Sequence, residues 1–287
     1  MLDVRRLRLL RELALRGTIA SVAEALSFSP SAVSQQLSAL EREAGVALLE
    51  RTGRSVTLTP AARALVEHAE VVLERLERAE AELASTREGL TGPVRIGAFP
   101  SATRTILPGA LRTLTSSGLT PMVVELDPAD VGDALRAGEL DVALVHDYDF
   151  VPFPAEPGIV DEPLNTEDMY LASTDGIAAL AQARDRTWIV ASPGTRCHAM
   201  TIRACEAAGF TPEVRHRIDE FDTVLAFVAA GEGVALVPEW GTLRPPEGVR
   251  LSRVELRRRT RIAFRDGAGR HPAVRAAISA LRGALPN

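Results

Sequence analysis

Lysine is absent from all 287 residues, so every one of the 33 basic side chains is an arginine. That removes the phosphate-binding P-loop, which needs a lysine, and leaves a guanidinium fork suited to phosphate and guanine. Cysteine occurs twice, too rarely for a disulfide framework. The five histidines, at 68, 146, 198, 216 and 271, are scattered without zinc-site spacing, so neither a metal nor another cofactor is expected. No G-x-S-x-G elbow is present. No apolar run approaches the ~18 residues of a membrane span, and the N-terminus has no signal-peptide core. The expectation is a cytoplasmic protein with no membrane partner. A transport receptor, which would need an export signal, is disfavoured.

What is present is an uneven charge. The net charge is −5, yet residues 1–60 hold eight arginines against six acids, a surplus of +2 on an otherwise acidic chain. A small positive head on an acidic body suits local, salt-sensitive binding to an anionic polymer.

Within that head, Ser29-Pro30 is a helix start, serine capping free amides and proline tolerated at the first position. Val33, Leu37, Leu40 and Ala44 then recur on one inward face. The outer face carries Ser31, Ser34, Gln35, Gln36 and Ser38, short polar groups that can meet base edges and phosphates in a major groove. An ordinary amphipathic surface helix has the same pattern, but the context is specific. Thr18 can cap a shorter helix with Val22, Ala23 and Leu26 inward, and only Ser27, Phe28 and Ser29 separate the two. That tight join is the helix-turn-helix arrangement, here about residues 18–37. Apolar flanks at 46–49 and 56–58 then bracket Gly53, predicting a hairpin with Arg51 and Arg54 at or near its tip, able to enter a minor groove.

The runs SPSAVSQQLSALE, GVALLER and TGRSVTLTPAA, with an opening helix around Leu7, Leu10 and Ala14, resemble the winged helix-turn-helix of LysR-type transcriptional regulators. The family often has Phe where Leu49 stands and Gly where Ala62 stands. The resemblance implies that Pro30, Ser31, Ser34 and Gln35 approach bases and that Arg51 and Arg54 are wing residues. The operator sequence varies within the family and cannot be inherited.

Thr59-Pro60 repeats the cap-then-proline start, and no breaker follows until Gly89. Leu65, Ala69, Val72, Leu76, Ala79 and Leu83 form a heptad seam on a helix of about 28 residues, ~42 Å long. A homodimer is expected, two heads on one axis reading an inverted repeat in double-stranded DNA. Packing of the seam on the chain's own C-terminal part is the alternative. The resemblance implies that dimers pair further into tetramers.

From Thr91 onward, strands and helices alternate in two βαβ sets, predicting two α/β lobes. The expected division is a DNA-binding domain at 1–59, a linker and dimerisation helix at 60–90, and an effector-binding domain at 91–287. Lobe I would hold about 91–160 and 265–287, and lobe II about 161–264. Two such lobes resemble a periplasmic-binding-protein fold, the architecture of the family's effector domain, and TVLAFVAAGEGVALVP is close to the family's pattern.

Ligands of open α/β lobes sit beyond the carboxyl ends of strands. That rule selects Ser101, Ala102, Thr103, His146, Ser192, Thr195 and Arg196 for a small-molecule effector, although each hydroxyl also reads as a plain helix cap and His146 as a structural histidine. Asp147 and Asp149 would favour a cationic effector, or belong to a solvated crossover. Arg257, Arg258, Arg259 and Arg261 read as a solvated sheet edge.

Peroxide-sensing members of the family use a cysteine pair near Cys197 and Cys205. Here the two lie eight apart on one predicted helix, about 12 Å by its rise and beyond disulfide reach, while Cys197 sits near a helix start that can acidify a thiol. The reading is an effector-controlled transcriptional regulator that acts at promoters and can touch RNA polymerase. A thiol-sensing regulator, a two-lobed enzyme or ligand-binding protein, and an architectural DNA binder are the alternatives.

Overall fold

The computed structural model describes residues 1–52, 55–86, 89–242 and 244–286. The head comprises α1 (Val4–Arg16), α2 (Ile19–Ala25), α3 (Pro30–Ala44) and an antiparallel hairpin of β1 (Leu49–Thr52) and β2 (Ser55–Leu58). Asp3, Thr18 and Ser29 each cap the helix that follows, accepting amides at its free end. Leu10, Leu13, Val22, Val33, Leu37, Leu40 and Leu48 close one apolar core, as the sequence periodicity requires.

Thr59 accepts the Ala62 amide and starts α4 (Pro60–Ser85), a 26-residue helix against about 28 expected. Its first half belongs to the head: Ala69 is fully buried there and Leu65 packs against the same core. These two seam positions are therefore already occupied within the chain. Val72, Leu76, Ala79 and Leu83 remain exposed on the second half.

The body contains β3 (Gly92–Ala98), α5 (Pro100–Thr105), α6 (Leu107–Ser116), β4 (Leu119–Glu125), α7 (Val131–Ala137) and β5 (Val142–Tyr148). It continues with β6 (Ile159–Ser173), β7 (Thr187–Val190), α8 (Arg196–Ala207), β8 (Glu213–Arg217), α9 (Phe221–Ala229), β9 (Ala235–Pro238), β10 (Arg250–Arg265) and α10 (Pro272–Gly283). One sheet has the order β4-β3-β5-β10-β6-β9, in which β3, β4 and β5 are parallel and β10 runs antiparallel to both neighbours. The parallel pair β7 and β8 forms the outer part of lobe II, tied back by bonds between Ile189 and Val234 and between Val234 and Thr187.

Strands β6 and β10 run side by side through both lobes, so lobe II does not own all of 161–264 as expected. Beyond the segment 261–264 their length is not legible in the sequence, because charge interrupts their apolar pattern: β6 holds Pro163 and four acids, β10 seven arginines. Across the ladder those charges answer one another, Arg253 bridging Asp168, Arg258 bridging Glu167 and Arg261 bridging Asp161. The arginine cluster is thus on a central strand rather than a solvated edge. Asp147 and Asp149 are likewise taken up by Arg259, which removes them from the effector argument.

Head and body are joined by more than the chain. Glu12, fully buried, accepts from Arg11 at 2.7 Å and Arg16 at 3.0 Å, and Arg16 reaches Asp133 of α7 at 2.7 Å. Arg265 binds Glu77 of α4 at 2.7 Å. Gly267 (φ +87°) sits where a Cβ would lie 2.5 Å from the Glu74 carbonyl, so α4 packs against a turn that only glycine allows. No described helix is long and apolar enough to cross a membrane.

Candidate functional site

Two places carry the polar groups singled out in the sequence. On the head, α3 turns Ser31 and Gln35 to solvent, with Ser34 and Ser38 half-buried beside them. Ser29 and Ser31 bond to each other at 3.0 Å, and Ser29 also accepts the Ala32 amide, so its hydroxyl is a cap first. Thr18 caps α2 in the same way, accepting the Ser21 amide at 3.1 Å. Gln36 accepts from Arg6 of α1 at 2.9 Å, which fixes its amide oxygen while the residue stays exposed. The turn between α2 and α3 depends on Ser27, whose φ is +56°. Glu41 accepts the Leu48 and Leu49 amides, locking the hairpin onto α3. Within the hairpin Arg51 pairs with Val56 through the backbone; its side chain, and the whole of Arg54, lie outside the described residues.

The second place is a cavity of about 320 Å³ between the lobes. Ser101, His146, Thr195 and Arg196 line it, from α5, β5 and the start of α8. Three other expected residues do not line it. Ala102 is fully buried in the lobe I core, Thr103 donates to the Phe99 carbonyl, and Ser192 is bonded to Asp219 at 2.8 Å. Arg196 is committed as well, donating to the carbonyls of His146, Val151 and Pro152 at 2.7 to 3.0 Å, so it straps the lobe crossover.

The residue that sequence reasoning missed is Arg258. It is 1% exposed, donates to Glu167 at 2.7 Å and to Ser101 at 3.0 Å, and lies between the rings of Phe99 and Trp240. Burial alone would depress its guanidinium; Glu167 restores the charged form and holds it above the usual range. Glu167 also accepts the Trp240 amide at 2.8 Å, tying β6 to the turn after β9. The signal was in the alternation Val254, Leu256, Arg258, Thr260, Ile262, which places Arg258 on the inward face.

His146 is buried, and desolvation, followed by Arg258 and Arg196, pushes it well below the ordinary histidine value. It is therefore neutral at physiological pH. Its Nδ1 has no hydrogen-bond partner among the described residues, nor has Oγ1 of Thr260, its cross-strand neighbour on β10. Cys197 also faces the cavity and bonds with Tyr148, but burial pushes its thiol up to about 11. Burial pushes Cys205 up to about 12. The helix start does not acidify Cys197, because desolvation outweighs it, and both cysteines sit on the intact α8. Among the described residues there is no group of metal-binding side chains.

A winged helix-turn-helix on a long helix, followed by two α/β lobes around a ligand-sized cleft, defines a DNA-binding transcriptional regulator with an effector domain. The chain belongs to the LysR family: residues 4–63 match its bacterial regulatory helix-turn-helix model and residues 87–286 its LysR substrate binding domain. Members are regulators, not enzymes. Over 248 residues the chain is 30% identical to the HTH-type transcriptional regulator TfdS of Cupriavidus pinatubonensis, covering 83% of this chain and 82% of that one. It is 31% identical over 279 residues to a probable hydrogen peroxide-inducible genes activator of Mycobacterium leprae, covering 91% and 87%. Among solved structures, a cysteine mutant of Corynebacterium glutamicum OxyR is similar at 27% identity and TM-score 0.58, over 99% of this chain and 92% of that one.

Proposed function

We propose that this regulator acts in the cytoplasm and switches on a small molecule held between its lobes, with Ser101, His146 and Thr195 among the contacting residues. The observation that carries the reading is the cavity of about 320 Å³, lined from both lobes and therefore sensitive to their closure. Closure would be passed to the head through α7 and the Asp133–Arg16–Glu12 chain and through Arg265–Glu77, altering how paired heads sit on DNA and meet RNA polymerase.

The exposed strip Val72, Leu76, Ala79 and Leu83 on α4 supports a dimer that reads an inverted repeat through Ser31, Ser34, Gln35 and the wing arginines Arg51 and Arg54. The exposed Met122 and Val124 on the edge strand β4 support further pairing of dimers. The likeness to peroxide-inducible activators raises a thiol-based switch, and the half-buried Cys197 and buried Cys205, both with raised thiol pKa, weigh against it. The test is a thermal-shift screen of metabolites in which each hit is examined for a changed footprint on the DNA upstream of the protein's own gene. A changed footprint supports the reading, and product formation from a hit would replace it with an enzyme.

A further inference from the structure

We infer that the head is held on lobe I by a charge latch that the lobe crossover opens, the Asp133 carboxylate exchanging a head arginine for a body arginine. The inference rests on the cleft being the effector site. Residues 149–158 join β5 to β6, and Arg196, on the cleft wall, holds them through the Val151 and Pro152 carbonyls and lies over the Phe153 ring. Phe153 in turn packs on the cluster that contains Val131 and Leu135 of α7. The far end of the same stretch meets the head: an added Cβ at Gly158 would lie 3.1 Å from a Glu70 oxygen and 3.7 Å from an Arg11 nitrogen. The crossover is wedged between cleft and head.

Between these ends the charged contacts are continuous. Nη1 of Arg136 donates to Glu156 at 2.9 Å, its Nη2 donates to Asp133 at 2.5 Å, and the other oxygen of Asp133 accepts from Arg16 of α1 at 2.7 Å. Arg136 is 7% exposed, so it needs a counter-charge, and its buried Nε has no partner among the described residues. With Glu156 gone, the half-exposed Asp133 answers both needs by turning to accept from Nε and Nη2 together, the bidentate fit of carboxylate to guanidinium. That turn takes it from Arg16. The head then keeps, among the described residues, one bond to α7, from Arg8 to the Arg136 carbonyl.

Glu156 keeps its place only because residue 132 is glycine. An added Cβ at Gly132 would lie 1.5 Å from a Glu156 carboxylate oxygen and 2.5 Å from its carbon, so the carboxylate fills the volume a side chain would take. Gly132 lies in α7 without a positive φ, so alanine suits the helix and evicts Glu156 without changing a charge. Lobe closure reaches the same state by moving Arg196 and the crossover it holds.

The test uses the full-length protein and the phenylglyoxal reactivity of Arg16, whose side chain is 13% exposed in the docked head, read by mass spectrometry. Gly132→Ala is expected to raise its modification rate about tenfold, the effect of losing one charged contact on a docking equilibrium, and to shift the footprint on the DNA upstream of the protein's own gene. Asp133→Asn should do the same from the head side and Arg196→Met from the cleft side. Continued protection of the buried Arg258 distinguishes release of the head from loss of the fold. Equal protection of Arg16 in Gly132→Ala and wild type overturns the latch. Opening by Asp133→Asn alone overturns it too, since the bridge would then be a fixed contact that the crossover does not govern. If all three variants free the head while a metabolite that alters the footprint is indifferent to Ser101→Trp, the latch stands and the cleft reading falls.

Discussion

Arg258 and Glu167 face each other directly across β10 and β6, their charged atoms 2.7 Å apart and each side chain 1% exposed. Two charges withdrawn from water this completely are tolerable only as a bonded pair. Arg258→Met alone should therefore cost about 3–5 kcal/mol by stranding Glu167. Arg258→Met with Glu167→Leu should cost much less. Urea denaturation of the three proteins checks the ordering, and a double variant worse than the single would contradict it.

His146 gives the stability a pH dependence. Its folded value lies below the unfolded one of about 6.5, so below that pH the unfolded chain binds a proton that the folded one refuses. Stability should fall as pH drops through this range, and His146→Gln should flatten that part of the curve. Melting curves of both proteins between about pH 5 and 8 provide the measurement; parallel curves would mean that His146 titrates normally.

The α2–α3 turn makes a separate demand. Ser27 is the one described non-glycine residue with positive φ, a region β-branched side chains avoid. Ser27→Val should destabilise the protein by about 1–2 kcal/mol, while Ser27→Gly leaves stability nearly unchanged. Equal melting temperatures for the two variants would contradict this account of the turn.

On DNA, Arg54→Ala should weaken binding to all sequences alike and reduce the slope of log affinity against log salt by about one, whereas Gln35→Ala should change the preferred site. Anisotropy titrations over a salt series separate the two effects. An unaltered slope for the Arg54 variant would take the wing off the phosphates.

The thiols should be slow to oxidise. With Cys197 near 11 and Cys205 near 12, very little of either is thiolate at neutral pH. Peroxide should leave both free in the native protein and consume them after unfolding, as counted with a thiol reagent. Rapid native loss at Cys197 would revive the redox alternative.

The sequence by itself determined what depends on neighbours along the chain. Capping serine and threonine before proline, the four-three spacing of Val33, Leu37 and Leu40, and the βαβ alternation each act over a few residues, and each yields its element. Tertiary structure decided what depends on partners far apart. The arginines of β10 read as a solvated edge until acids on β5 and β6 arrive to neutralise them. Leu65 and Ala69 read as dimer seam until the head core claims them. Ser101, His146 and Thr195 were legible as strand-end and cap residues, but Arg258, more than a hundred residues away from all but Thr195, joins them only when β10 threads the sheet between β5 and β6. Periodicity along a chain reports which way a side chain points; only the assembled sheet supplies the opposite charge that makes burying it possible.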